Sequence, residues 1–169
     1  NGTAVINPQL LDEVTALVEW PISFVGNFNS DFLKLPKEVL IASMQDHQKY
    51  FPMLDKQKNL LASFICVTNI ESKQPDLIKQ GNERVIQPRL SDAAFFWQRD
   101  LKNGLAKHIV ELNKVVYQKE LGTLHEKSKR LNKIISSLAK PLNIDGNNAK
   151  RAAELCFCDL LTEMVCEFP

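Results

Sequence analysis

Apolar residues recur along this chain with two different spacings, and those spacings divide it. Over residues 8–18, Leu10, Leu11, Val14, Leu17 and Val18 share one face of a short helix, with Pro8 in its first turn. Trp20-Pro21 ends it, because a residue before proline avoids the helical region. Ile22 to Val25 predict a brief strand, and Gly26 to Ser30 a turn cluster. Pro36 opens a helix running to about Gln48, with Val39, Leu40, Met44 and His47 on one side. Tyr50 to Leu54 turn extended, and Pro52 predicts a sheet edge there, since proline cannot donate to a ladder. A polar loop from Asp55 to Asn59 leads into the strand Leu60 to Thr68, rich in aliphatic and aromatic side chains.

Beyond a linker at Glu71 to Pro75 the spacing is helical almost throughout. A helix opens near Pro75-Asp76, and Gly81 and Pro88 predict a break or kink before a second segment starting at Pro88. Leu90, Ala93, Ala94, Trp97 and Leu101 continue the pattern, and Phe95 and Phe96 widen its apolar side. Asn103-Gly104 reads as a helix stop. Leu105, Ile109, Leu112 and Val116 predict another helix over residues 105–118. Thr123 and Glu126 make a capping-box pattern ahead of a helix whose apolar face is Leu124, Leu131, Ile134, Ile135 and Leu138, stopped by Pro141. Asp145 to Asn148 predict a turn, and Ala149 to Val165 the last helix. The expected fold class is α+β. A mixed helix/strand portion with a hairpin covers residues 1–104, and an all-helical portion covers residues 105–169.

Composition fits that picture: 44% hydrophobic and 24% charged residues are the proportions of a folded domain, not of a disordered tail. The net charge of +1 exerts no overall pull on polyanions, but it is unevenly spread. Residues 1–48 hold 2 Lys/Arg against 6 Asp/Glu, and residues 99–140 hold 10 against 4. A basic middle could face nucleic acid, or could be an ordinary solvated helix face. No apolar run approaches the roughly 18 residues that cross a bilayer, so no membrane partner is expected. No secretory signal is visible, the first residue is Asn1, and the chain reads as a piece of a longer one.

Candidate chemistry is sparse. Cys66 lies in the apolar strand pattern. Cys156, Cys158 and Cys166 fall on the last expected helix without zinc-type spacing or a nearby His. Asp46-His47 are adjacent and point about 100° apart on a helix, which does not make a general-base pair. His108 and His125 lack a second metal ligand at helical spacing. Phosphate-binding glycine loops and nucleophile elbows are absent. No catalytic residue and no metal ligand is therefore assigned. The basic helix is the better lead: Lys127, Lys129, Arg130 and Lys133 are the residues expected to contact RNA phosphates. Arg84, Arg89, Asp92 and Arg99 gather around Phe95-Phe96-Trp97. Such an Arg could stack on a base, but the favoured reading is a core aromatic trio with charges at its rim.

Long ungapped blocks also carry a family likeness: LPKEVL at 35–40, DHQKYFP at 46–52, VTNIES at 67–72, GNERVIQPRLSDAAFF at 81–96 and YQKELGTLHEKSKR at 117–130. With VEWP at 18–21 and CDLLTEMVCEFP at 158–169, the chain resembles the β subunit of bacterial glycyl-tRNA synthetase (glycine–tRNA ligase) over nearly its whole length. The resemblance implies a ligase of protein biosynthesis, cytoplasmic, built as an α2β2 tetramer. Its α subunit would activate glycine with ATP and Mg, while β positions tRNA. This slice would hold no cofactor itself and would end in the truncated start of an HD-like helical domain. The His-Asp metal pair of true HD enzymes is missing, and only Asp159 resembles part of it, so phosphohydrolase activity is not expected. The alternative role is an assembly-only scaffold with no RNA contact.

Overall fold

Leu60 to Thr68 is apolar at nearly every position, a composition that suits a strand covered on both sides. In the computed structural model, which describes residues 2–168, it is β4 (Leu60–Thr68) of a four-stranded antiparallel sheet. The order is β1-β3-β4-β2, with β1 Thr3–Ala4, β2 Ile22–Asn27 and β3 Phe51–Leu54. Alternate β4 side chains point to opposite faces. Phe64 and Cys66 meet Leu40 and Met44 of α2 (Lys37–Gln48) and Ile86 and Leu90 of α3 (Pro75–Asn103). Ile65 and Val67 pack instead with Leu10 and Val14 of α1 (Pro8–Leu17), together with Phe51. The result is three layers: α1, the sheet, then α2 with α3.

Pro52 does not mark a sheet edge. β3 lies between β1 and β4, and Pro52 stands opposite Phe64. The proline is tolerated because β1 pairs only with Met53 and Leu54. The Pro52 carbonyl accepts Val5 N–H at 2.8 Å on that same side, where no ladder donor is required of it. Asp55 holds the β3–β4 loop: its carboxylate accepts Gln57 N–H and Asn59 N–H, both at 2.8 Å, and those bonds keep its pKa below the usual range.

Gly81 and Pro88 do not break α3, which runs unbroken for 29 residues. An interior glycine costs about 1 kcal/mol and an interior proline about 3 kcal/mol. Against that, Ile86, Leu90 and Ala93 are wholly buried, and each fully buried Ile or Leu contributes roughly 1.5–3 kcal/mol. Tertiary burial matches the local penalty.

Two compact units divide the chain into residues 1–95 and 96–169. α3 crosses that division; the change of character expected at Asn103-Gly104 is where the helix stops, with Gly104 at φ +67°. In the second unit the expected helix over 105–118 is replaced by two 3-10 turns, Leu105–Ile109 and Glu111–Lys114, and a short strand β5 (Val116–Gln118) paired with β6 (Gly122–Thr123). The portion is therefore not all helical. The Asn113 side-chain amide donates to the Val110 carbonyl, a local bond that competes with helix propagation. The expected last helix is likewise divided into α5 (Gly146–Leu155), a 3-10 turn at Cys158–Leu161 and α6 (Glu163–Glu167). The break lets Cys158 turn inward onto Leu112 of the second 3-10 turn and onto Leu124, the first residue of α4 (Leu124–Leu138). α4 and α5 approach closely through small residues, with Ser128 Oγ donating to the Ala153 carbonyl at 2.5 Å.

The three C-terminal cysteines thus do not share a helix. Cys66 and Cys158 are buried, Cys156 and Cys166 exposed, and all four are free. Burial pushes the Cys66 thiol up to about 11. A thiol reagent at neutral pH is expected to label Cys156 and Cys166 promptly, and Cys66 and Cys158 only on unfolding. Site-resolved mass spectrometry over a denaturant series checks this. No helix among the described residues is long and apolar enough to cross a membrane.

Candidate nucleic-acid interface

The basic helix begins at a turn that only glycine fits. Gly122 has φ +83°, and a Cβ there would overlap the Glu126 carboxylate. That carboxylate folds back to accept Thr123 N–H at 2.7 Å, while Thr123 Oγ1 accepts Glu126 N–H at 3.3 Å. The capping box read from the sequence forms in full. Its hydrogen bonds to Thr123, helped by Arg130 and Lys129, hold the Glu126 pKa below the ordinary glutamate value. Thr123→Ala should destabilise the second unit by about 1 kcal/mol in thermal unfolding. A lowered folded-state pKa stabilises above the unfolded value of about 4.3. The difference between wild type and Glu126→Ala is therefore expected at neutral pH and should close as pH falls through the folded-state pKa.

The helix spreads the four basic residues over its surface at about 100° per residue. Lys129, Lys133 and Arg130 fall within an arc of about 100°, and Lys127 stands about 60° beyond Arg130. Lys129, Arg130 and Lys133 are exposed and make no ion pair among the described residues. Glu126 lies within the same arc, but its carboxylate is turned toward Thr123. The arc therefore presents three cations to solvent, an arrangement able to neutralise phosphate oxygens.

Lys127 is placed differently. Its Nζ sits 3.7 Å from the centroid of the Tyr117 ring on β5 and 5.0 Å from that of Phe157. This ammonium is half-buried between two aromatic faces, a cation–π arrangement. Tyr117 is the neighbour that sequence reasoning missed. Ten residues separate it from Lys127 across a strand pair and a turn, a distance at which no helical periodicity could have signalled the contact.

Other sequence candidates are dispersed. The aromatic trio is not a core: Phe95 is 56% exposed, and Phe96 and Trp97 are half-buried. Arg99 pairs with Glu163 at 2.9 Å. His108 is buried with Nδ1 2.6 Å from Glu111, His47 is exposed and His125 half-buried. Asp159 is exposed, and its carbonyl accepts the Thr162 hydroxyl. Among the described residues, no three His, Cys, Asp or Glu side chains converge on a point where a metal could sit. A hollow of about 400 Å³ in the second unit, lined by Trp97, Leu101, Leu105, Met164 and Val165, is mostly apolar. The Asp100 carboxylate beside it is engaged by Glu163 N–H and Met164 N–H. The chemistry available in this unit is thus cationic and aromatic, not nucleophilic.

Comparison with known proteins gives a consistent answer. The family model described as glycyl-tRNA synthetase beta subunit matches residues 1–169. A glycine–tRNA ligase beta subunit from Coxiella burnetii is 51% identical over 168 residues, 99% of this chain and 24% of the relative. One from Colwellia psychrerythraea is 51% identical over 169 residues, 100% of this chain and 25% of its own length. One from Chromohalobacter salexigens is 52% identical over 168 residues, 99% and 24% respectively. The chain spans about a quarter of the length of these curated relatives.

Proposed function

The chain belongs to the glycyl-tRNA synthetase beta subunit family, and on that premise we propose that it is a tRNA-positioning and architectural segment of a glycine–tRNA ligase. In this reading the ATP- and Mg-dependent activation of glycine takes place on a companion α subunit of an α2β2 cytoplasmic enzyme. The segment itself carries no catalytic group, and its HD-like helices serve as scaffold. The observation that supports it is the α4 arc, where Lys129, Arg130 and Lys133 are exposed and form no salt bridge among the described residues, the one acidic neighbour, Glu126, having its carboxylate tied to the helix cap. Three such cations on one face suit a polyphosphate backbone.

The test is a titration of tRNA onto the intact two-subunit enzyme across a salt series. Each phosphate contact contributes about 0.9 to the slope of log affinity against log salt. With Lys129, Arg130 and Lys133 all changed to Ala, the slope should fall by up to about 2.7, alongside weaker binding at low salt. An unchanged slope would count against the arc as an RNA surface. A second reading, an assembly-only scaffold, draws on another observation: Ile134, Leu138, Leu142 and Ile144 are all exposed at and beyond the far end of α4. It predicts that the triple variant leaves tRNA affinity alone, while polar replacements at Ile134 and Leu138 spoil subunit association.

A further inference from the structure

We propose that Tyr117 is a stacking platform for an unpaired nucleotide of the bound RNA, and that Lys127 is the positioning residue that holds its ring. This rests on the tRNA-handling reading above and adds to it a base-contacting element.

The β5–β6 pair is the smallest sheet in the molecule, three residues against two, and it buries little of its own apolar surface. Val116, Tyr117 and Leu121 are all exposed on it, with Tyr117 keeping 42% of its surface open. An exposed ring on a short ribbon is normally free to rotate. Here Lys127 Nζ lies 3.7 Å from its centroid, a cation–π contact that favours one ring orientation over the others. Lys127 also borders Phe157 at 5.0 Å, and Phe157 packs on the Leu112, Leu124 and Cys158 cluster. A chain of contacts therefore runs from the core through Phe157 and Lys127 to a surface aromatic. An aromatic biased toward one orientation before binding loses less freedom when a base stacks on it.

Charge points the same way. Lys127, Lys129 and Arg130 all lie in the first two turns of α4, with Lys133 one turn further on, so the ring stands next to the surface assigned to phosphates. RNA presents bases and phosphates together, and base–aromatic stacking beside a cationic track is how single-stranded stretches are held. Because Lys127 is already engaged by two rings, its part here differs from that of Lys129, Arg130 and Lys133. It orients a ring, and the other three meet phosphates.

The experiment uses the intact two-subunit enzyme and tRNA, with Tyr117→Ala, Tyr117→Phe, Lys127→Ala and the Lys129/Arg130/Lys133 triple alanine variant. Tyr117→Ala is expected to weaken tRNA binding roughly fivefold or more with the salt slope unchanged. Tyr117→Phe should bind like wild type, and Lys127→Ala should fall between the two. Ultraviolet crosslinking of the wild-type complex, with peptides mapped by mass spectrometry, should place a nucleotide on Tyr117 independently of how any variant folds. Binding of Tyr117→Ala within twofold of wild type, without a crosslink, overturns the proposal. So does an equal loss in Tyr117→Phe, which would assign the effect to the hydroxyl. Loss of subunit association with tRNA affinity intact would make the ribbon a protein contact and also overturn it. If the triple variant alone proves silent, the phosphate-surface reading fails while the Tyr117 result stands or falls separately.

Discussion

Phe64→Ala is expected to destabilise the unit formed by residues 1–95 by about 3–5 kcal/mol, the cost of deleting a phenyl ring from a filled core. Phe64 is wholly buried and stacks on Tyr50, with ring centroids 4.4 Å apart and planes 13° from parallel. It also lies across the ladder from Gly26, where any Cβ would collide with the ring. The residue thus fills three spaces together: the α2–α3 side of the sheet, the face of Tyr50 and the gap left by a glycine. Loss of the ring also loosens Tyr50, whose hydroxyl donates to Asn82 Oδ1 at 2.6 Å. Denaturant titration of the purified chain, followed by circular dichroism and by hydrogen exchange in β4, measures the shift. A loss under 1 kcal/mol would mean the core closes over the cavity more readily than its geometry suggests.

The second large effect is expected at Asp100. Its two carboxylate oxygens accept Glu163 N–H at 3.0 Å and Met164 N–H at 2.8 Å, two of the donors that a new helix leaves unpaired. The negative charge also suits a helix N-terminus. Thr162 Oγ1 accepts only one further donor, Val165 N–H at 3.3 Å. α6 is five residues long and cannot persist on propensity alone. Asp100→Ala should therefore cost about 2–3 kcal/mol, and Asp100→Asn, which keeps one acceptor, about half of that. Hydrogen exchange at residues 163–167 is the direct readout. Faster exchange is expected there in Asp100→Ala, with little change in β4.

These two sites differ in how far the sequence discloses them. The strand around Phe64 is legible because Leu60 to Thr68 carries an apolar side chain at nearly every step, and its observed bounds are those expected. The α4 capping box is legible for the same local reason: Thr123 and Glu126 interact across three residues. Asp100 is not legible, since its partners lie 63 and 64 residues away. Pro88 misleads because its penalty is local and visible, whereas burial of Ile86 and Leu90 is tertiary. Leu105, Ile109, Leu112 and Val116 mislead in the opposite sense. Their spacing is helical, but Val116 pairs with Thr123 and Leu112 turns into the core. At the candidate interface the charges are plain in the sequence and their differing surroundings are not. Nothing in KSKRLNK separates Lys127, lodged between rings, from the three exposed cations.

β2 is one of the two outer strands of its sheet, and outer strands invite neighbouring molecules to add a strand of their own. Here the invitation is partly withdrawn from within. The amide of Asn27, the last residue of β2, donates to Glu83 Oε1 at 2.8 Å, a carboxylate carried on α3. An incoming ribbon would have to dislodge an anion already seated on the rail it needs. The same α3 that fills the core thereby also occupies the last outward donor of this edge.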